Sequence, residues 1–184
     1  IHGFHFVDEA APPKMLRALS EELLKRDLKI TWWTNIRFEK TFDRELCQLM
    51  AKSGCIAVTG GLEVASDRLL EKMKKGVDIA QVTQVTHQFS EQGIFVHAYL
   101  MSGLHSETEQ ETIDSLEVVS QLFEKSCIQS AFWHQFTTTV HSPIGQNPQD
   151  FGIQITGPVF EGFAQNDLLH DDPLGADHPK YTQG

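Results

Sequence analysis

Cys55-Ile56-Ala57-Val58 is a short apolar run, and it leads through Thr59 into Gly60-Gly61-Leu62-Glu63. It has strand length, β-branched residues and no helical period, so it predicts a buried strand. Its flanks supply the context. Before it, Asp43 stands at the cap position of a helix carrying Leu46, Leu49 and Met50, closed by Gly54. After it, Ser66 caps a short helix with Leu69, Leu70 and Met73 that ends at Gly76. Asp78 opens another helix with Ile79, Val82, Val85 and Phe89, ended by Gly93. The middle of the chain is therefore helix, strand, helix.

The alternation continues in both directions. Residues 3–7 predict a buried strand, and Pro12-Pro13 opens a helix with Leu16, Leu19, Leu23 and Leu24. Residues 28–33 predict a second strand that ends near Asn35 and Arg37. Downstream, 94–101 predict a fourth strand and Thr108-Glu109-Gln110-Glu111 is a capping box. The helix behind it carries Ile113, Leu116, Val119 and Phe123, and a fifth strand is predicted from Cys127 to His134. Apolar strands joined by helix-length connections specify an α/β fold with a parallel sheet. About five β-α units are too few for a closed eight-stranded barrel, which takes ~250 residues. The expectation is a partial TIM-type (β/α) barrel over residues 1–145, cut from a longer protein. A complete open sheet is the alternative. Residues 146–184 read as a loop-rich tail: 141–184 hold five of the seven prolines and six of the thirteen glycines.

Composition limits the function. A net charge of -10 argues against a nucleic-acid backbone as partner, because phosphate binding needs clustered Lys and Arg. No stretch approaches the ~18 apolar residues of a membrane span, and no signal-peptide pattern is visible. Three widely spaced cysteines, 47, 55 and 127, suit a reducing compartment, so a cytoplasmic protein is expected. Exposed barrel edges would favour self-association.

Polar residues collect after the strands: Asp8 and Glu9, Asn35 and Arg37, Glu63, Ser102 with His105, and His134 with His141. In a parallel α/β sheet or barrel those positions share one face, where substrates bind. Polar, capped strand-to-helix loops without a site are the alternative. Asp8-Glu9 suits a ligand ammonium or a metal. Gly60-Gly61 lets backbone approach a ligand but is no phosphate loop, since no Lys-Ser or Lys-Thr follows. His134 and His141 lie seven apart, which matches no zinc pattern. One residue of each pair Trp32-Trp33 and Phe132-Trp133 must face the opposite side of its strand, and these rings read mostly as core.

An ordered set of motifs carries a family resemblance. Phe6-Val7-Asp8-Glu9 and Ile30-Thr31-Trp32-Trp33-Thr34-Asn35-Ile36-Arg37 come first, then Leu49-Met50 with Gly54-Cys55. Gly61-Leu62-Glu63, Leu70-Glu71-Lys72-Met73, Lys75-Gly76 and Gly93-Ile94-Phe95-Val96 follow in order. Met101-Ser102-Gly103-Leu104-His105-Ser106-Glu107-Thr108 resembles the fifth-strand motif, with His105-Ser106 where the family has Pro-Gly. Thr139-Val140-His141-Ser142-Pro143 resembles the sixth-strand exit. Over residues 4–145 the chain resembles the radical S-adenosylmethionine (SAM) enzymes, in the branch often fused to a cobalamin-binding domain.

The resemblance implies a parent enzyme that uses a [4Fe-4S] cluster to cleave SAM to a 5′-deoxyadenosyl radical, with cobalamin as a further cofactor. It also implies a small-molecule substrate. The family's C-x3-C-x2-C cluster motif is missing from this chain and is expected before Ile1. By similarity, Asp8 and Glu9 meet the SAM amino group, and Glu63 faces the ribose or carboxylate region. Met101 and Gly103 lie near adenine, and Arg37 pairs with the SAM carboxylate or a substrate acid. His97, Tyr99, His134 and His141 are the candidates to meet substrate. Two other readings stay open: a metal-dependent α/β-barrel lyase or hydrolase, and a fragment with no activity by itself.

Overall fold

A computed structural model describes residues 2–159 and 166–176. The first elements alternate as expected: β1 (Gly3–Phe6), α1 (Pro13–Lys25), β2 (Thr31–Ile36), α2 (Arg44–Lys52) and β3 (Cys55–Glu63). Then come α3 (Asp67–Lys72), α4 (Ile79–Glu91), β4 (Phe95–Ser102), α5 (Glu109–Glu124) and β5 (Ser130–Gln135). These strands form one five-stranded sheet in the order β1-β2-β3-β4-β5. β1 with β2, β2 with β3 and β3 with β4 are parallel. The order never reverses, as it would at the switch point of a doubly wound sheet. A sequential parallel order is that of a barrel wall, so the α/β partial barrel stands.

Local chemistry explains where the helices start. Asp43 accepts the Leu46 amide at 2.8 Å, Ser66 that of Leu69 at 3.4 Å and Asp78 that of Gln81 at 2.7 Å. Each supplies a partner to an amide that the first helical turn leaves bare. The Thr108–Glu111 capping box is reciprocal: Glu111 accepts the Thr108 amide at 3.0 Å and Thr108 accepts the Glu111 amide at 3.2 Å.

The strands alternate between two faces. Trp32 and Ile36, Val58 and Leu62, and Val96, Ala98 and Leu100 are buried. They share one core with Leu16 and Leu23 of α1, Leu46 and Met50 of α2, and Val82, Val85 and Phe89 of α4. The opposite parity carries Trp33, Asn35, Thr59, Gly61, His97 and Tyr99, joined in register as Trp33 with Ala57 and Phe95, Asn35 with Thr59 and His97, and Gly61 with Tyr99. Trp32 is fully buried, its indole Nε1 donating to the Ser53 carbonyl at 3.1 Å. Trp33 is 37% exposed and stacks on His5, with ring centroids 3.7 Å apart.

Several expectations need correction. β1 is not buried: three of its four residues are exposed, because it lies at the edge of the sheet. Phe132 and Trp133 are not core either, at 54% and 37% exposed, on the opposite edge strand. β2 starts at Thr31 rather than 28 and runs to Ile36, which puts Asn35 inside the strand. β3 continues past Val58 through both glycines to Glu63.

The described residues group into two compact units. The first takes the described residues up to Leu100 with Ser115–Trp133, the second Met101–Asp114 with the described residues from His134 onward. In the second, β6 (Thr138–Thr139), β7 (Gln154–Gly157) and β8 (Asp167–Asp171) form an antiparallel sheet in the order β6-β8-β7. A short helix, α6 (Pro143–Gln146), and a 3-10 turn, Pro148–Phe151, lie between β6 and β7. The segment read as loops thus holds two strands among its described residues.

Candidate functional site

In the first unit a cavity of about 900 Å³ opens among the ends of β1, β2 and β3. That is at the upper end of small-molecule pockets, which run roughly 300–1,000 Å³. Asp8 and Glu9 line it from the segment after β1, Arg37 and Glu39 from the segment after β2, and Gly61 and Glu63 from β3. Lys75 lines it from the connection between α3 and α4, and Tyr99 from β4.

Backbone and side-chain bonds set these groups in place. The Asn35 amide Nδ2 donates to the Asp8 carbonyl at 3.0 Å, and the Ala11 amide donates to the Asn35 carbonyl at 2.8 Å. One strand residue therefore holds both flanks of the Asp8-Glu9 pair. After β2, the buried Phe38 carbonyl accepts from Gln81 Nε2 at 2.7 Å, anchoring the segment that carries Arg37 and Glu39.

At the end of β3 the pairing with β4 slips between Gly61 and Glu63, a β-bulge. Glu63 has φ +65, a left-handed backbone that side chains seldom adopt. This re-aims its side chain, as bulges do beside ligand sites. The carboxylate folds back over Gly61: a Cβ at residue 61 would stand 2.1 Å from Glu63 Oε1. Glycine at 61 is thus the condition for this placement of Glu63. Lys75 Nζ donates to the same Oε1, and the two side chains are 27% and 18% exposed.

Sequence reasoning passed over Lys75 as a site residue. It sits in the run Lys72-Met73-Lys74-Lys75 and differs from its neighbours only by where the chain carries it. With the Lys75–Glu63 pair mutually neutralised, the lining leaves Asp8, Glu9 and Glu39 against Arg37. Acceptors for an ammonium and a fork of donors for a carboxylate stand in one cavity, the requirement for an amino-acid zwitterion.

The structure thus brings together Asp8, Glu9, Arg37, Glu63 and Tyr99. His97 is half-buried on β4, its Nδ1 2.7 Å from Ser130 Oγ, and its ring meets Tyr99 edge-on with centroids 5.1 Å apart. The other expected residues belong to the second unit. Met101 is the half-buried penultimate residue of β4, and Gly103 has φ +80 and donates its amide to Glu107 Oε2 at 2.8 Å. His134 and His141 are exposed.

The residues present fit SAM and do not fit an iron–sulfur cluster. Cys47, Cys55 and Cys127 are free, and each is at most 5% exposed. Burial pushes the thiols of Cys47 and Cys55 up to about 12 and raises that of Cys127. Cluster ligation needs thiolates. Among the described residues no three His, Cys, Asp or Glu side chains gather as a metal site. Among them, too, no helix is long and apolar enough to cross a membrane.

Known proteins resemble this chain in sequence or in fold. The chain is 29% identical over 152 residues to the anaerobic magnesium-protoporphyrin IX monomethyl ester cyclase of Rubrivivax gelatinosus, covering 80% of this chain and 27% of that protein. Its fold is similar to the radical SAM methyltransferase TsrM of Kitasatospora setae, with TM-score 0.64, 17% identity, and 82% of this chain on 31% of the other. It is similar also to the coproporphyrinogen III oxidase HemN of Escherichia coli, a radical SAM enzyme, with TM-score 0.61, 12% identity, and 84% of this chain on 41% of the other. The chain therefore spans well under half the length of these relatives. Residues 8–119, from the acidic pair behind β1 into α5, match the radical SAM superfamily, and the chain belongs to it.

Proposed function

We propose that this chain supplies the SAM-binding wall of a radical SAM enzyme, and that the cavity of the first unit holds the methionyl end of the cofactor. The observation that carries this is the convergence of Asp8, Glu9, Arg37 and Glu63 on one cavity. Asp8 and Glu9 accept from the ammonium. Arg37 engages the SAM carboxylate or an acid of the substrate, and Glu63 accepts from a ribose hydroxyl or faces the carboxylate region. The acidic excess also favours the sulfonium charge. The family resemblance assigns Met101 and Gly103 to adenine. Tyr99, His97, His134 and His141 are the residues proposed to meet a small-molecule substrate.

SAM held by these residues would supply the family's 5′-deoxyadenosyl radical on reductive cleavage. The three cysteines here do not fit the cluster that would deliver the electron, and the proposal leaves its ligation to residues other than these. Cobalamin is a further cofactor proposed for the full-length protein, supported by the cobalamin-bound methyltransferase with a similar fold. A cytoplasmic setting is part of the same reading, supported by three free, buried cysteines. Self-association through β1 and β5 is supported by their place at the two ends of the sheet.

Calorimetric titration of the chain with SAM and with 5′-methylthioadenosine, which lacks the amino-acid group, tests the assignment. Asp8→Asn with Glu9→Gln should weaken SAM by about tenfold or more, the loss of one charge-assisted contact, and the same loss in Arg37→Ala assigns Arg37 to the SAM carboxylate rather than to a substrate acid. Binding of 5′-methylthioadenosine should stay within about twofold. Equal losses for both ligands, or no loss for either, would sink the reading.

A further inference from the structure

Little apolar packing holds the chain where it leaves β1. The register with β2 runs from Gly3 opposite Thr31 to Phe6 opposite Thr34. Beyond it Val7 is 79% exposed, and Asp8 and Glu9 are exposed too. Burial takes hold again only at Ala11, which is 2% exposed. The acidic pair therefore stands in a stretch that the hydrophobic core does not fix.

Asn35 spans that stretch from inside the first unit. Its Nδ2 donates to the Asp8 carbonyl at 3.0 Å, and its own carbonyl accepts the Ala11 amide at 2.8 Å. The two bonds close the bend from Asp8 to Ala11 onto one residue of β2. Asn35 is half-buried and paired in register with Thr59. Asp8 and Glu9 line the cavity, and Asn35 does not.

The two bonds differ in kind. The bond from Ala11 ends on main chain, so any side chain at 35 keeps it. The bond to Asp8 needs a side-chain donor of this length. Aspartate has the same shape, but its carboxylate would set a second acceptor against the carbonyl. It would also add negative charge beside a site already rich in it. The asparagine amide supplies a donor and no charge, so its contribution is geometric.

We propose that Asn35 is a positioning residue: its side-chain amide fixes the Asp8 backbone, so that the Asp8-Glu9 carboxylates are set in place before a ligand ammonium arrives. Such preorganisation removes an ordering cost from binding, and it favours only those ligands that carry the ammonium. The selectivity rests on the assignment of Asp8 and Glu9 to the SAM amino group. The backbone clamp does not.

Hydrogen exchange of the 184-residue chain, beside calorimetric titration with SAM and with 5′-methylthioadenosine, tests both. The chains compared are wild type, Asn35→Ala, Asn35→Asp, Asp8→Asn with Glu9→Gln, and Asn35→Ala added to that doubly substituted chain. Asn35→Ala should speed exchange in peptides covering 7–11 by about fivefold, the loss of one neutral hydrogen bond. Peptides of β3 and α4 should be unchanged, which also verifies that the chain is folded. SAM affinity should fall by about fivefold, because fewer chains hold the binding form, and 5′-methylthioadenosine should stay within about twofold. In the doubly substituted chain the same replacement should cost less than about twofold, since the groups it positions have lost their charge. A merely structural role would give the same loss in both backgrounds. Asn35→Asp separates geometry from charge, and it serves if the alanine variant fails to fold. Added negative charge alone would tighten SAM, whereas loss of the donor should weaken it. Unchanged exchange over 7–11 overturns the clamp. Tighter SAM binding in Asn35→Asp, equal losses for the two ligands, or a full loss in the doubly substituted chain overturns the positioning role. If Asp8→Asn with Glu9→Gln binds SAM as wild type does, or wild type binds none, the ammonium assignment fails and the positioning role with it, while exchange still reads the clamp.

Discussion

The adjacent glycines of β3 should respond to the same substitution in opposite ways. A Cβ at residue 60 would lie 2.6, 2.8 and 2.8 Å from three ring carbons of Phe38. Ordinary carbon contacts are ~3.5–4.0 Å. Phe38 is 1% exposed and its carbonyl is held by Gln81, so the ring cannot yield without moving backbone. Overpacking of this kind costs about 1–3 kcal/mol. At roughly 2–4 °C per kcal/mol for a chain of this length, the middle of that range, about 2 kcal/mol, should lower the Tm of Gly60→Ala by about 4–8 °C. At residue 61 the new methyl meets only side-chain tips, Glu63 Oε1 at 2.1 Å and Lys75 Nζ at 3.0 Å. Both can swing away. The partly exposed ion pair is weakened, at a cost of about 1 kcal/mol or less, and Tm should fall by no more than about 4 °C. The SAM affinity should fall instead, because the Glu63 carboxylate is displaced. Thermal scans by circular dichroism, run beside SAM titration, separate the two variants. A Gly60→Ala chain that melts with wild type, or a Gly61→Ala chain that melts as low as Gly60→Ala, would refute the assignment of the two faces.

Asp43→Ala should destabilise the chain by about 1 kcal/mol, read as a lower urea midpoint, because the Leu46 amide loses its cap. Lys75→Met and Glu63→Gln should each lower stability, and the double variant should lose less than the sum of the two. A double-mutant cycle on urea midpoints measures that coupling, expected at about 0.5–1 kcal/mol. Burial pushes the thiols of Cys47 and Cys55 up to about 12, from an ordinary value of 9.0. The folded chain therefore holds protons that the unfolded chain gives up above pH 9. Stability should be unaffected by these groups below pH 9 and decline as pH rises from there toward 12, and folded-state alkylation at pH 8 should be slow until urea is added.

The α/β alternation was readable because each helix advertises its own start. Asp43, Ser66, Asp78 and the Thr108–Glu111 box are local signals, and local signals survive in a sequence. The strand ends were harder. Gly60-Gly61 looks like the end of a strand, yet β3 runs on, because Phe38 fills the space above one glycine and Glu63 folds over the other. Neither filler is adjacent in sequence. β7 and β8 were missed for a similar reason: four and five residues give too short an alternation, and their pairing joins residues 154–157 to 167–171. Within the site, Asp8, Glu9, Arg37 and Glu63 were found by their place after strands. Lys75 was not, since no feature of a lysine-rich turn separates the one that reaches the Glu63 carboxylate 12 residues back from its neighbours.

The two units exchange segments, and this decides how the protein can be cut or made. The chain leaves the first unit after Leu100, returns at Ser115 and leaves again after Trp133. No single scission releases either unit whole. A protease nick near residue 145 would part Met101–Asp114 from the later residues of the second unit, although the two fragments would each keep pieces of the same unit. Synthesis meets the same constraint: the first unit waits for residue 133 to leave the ribosome, long after β1 to β4 are available. Its last strand arrives only once the opening stretch of the second unit, Met101–Asp114, has already been made.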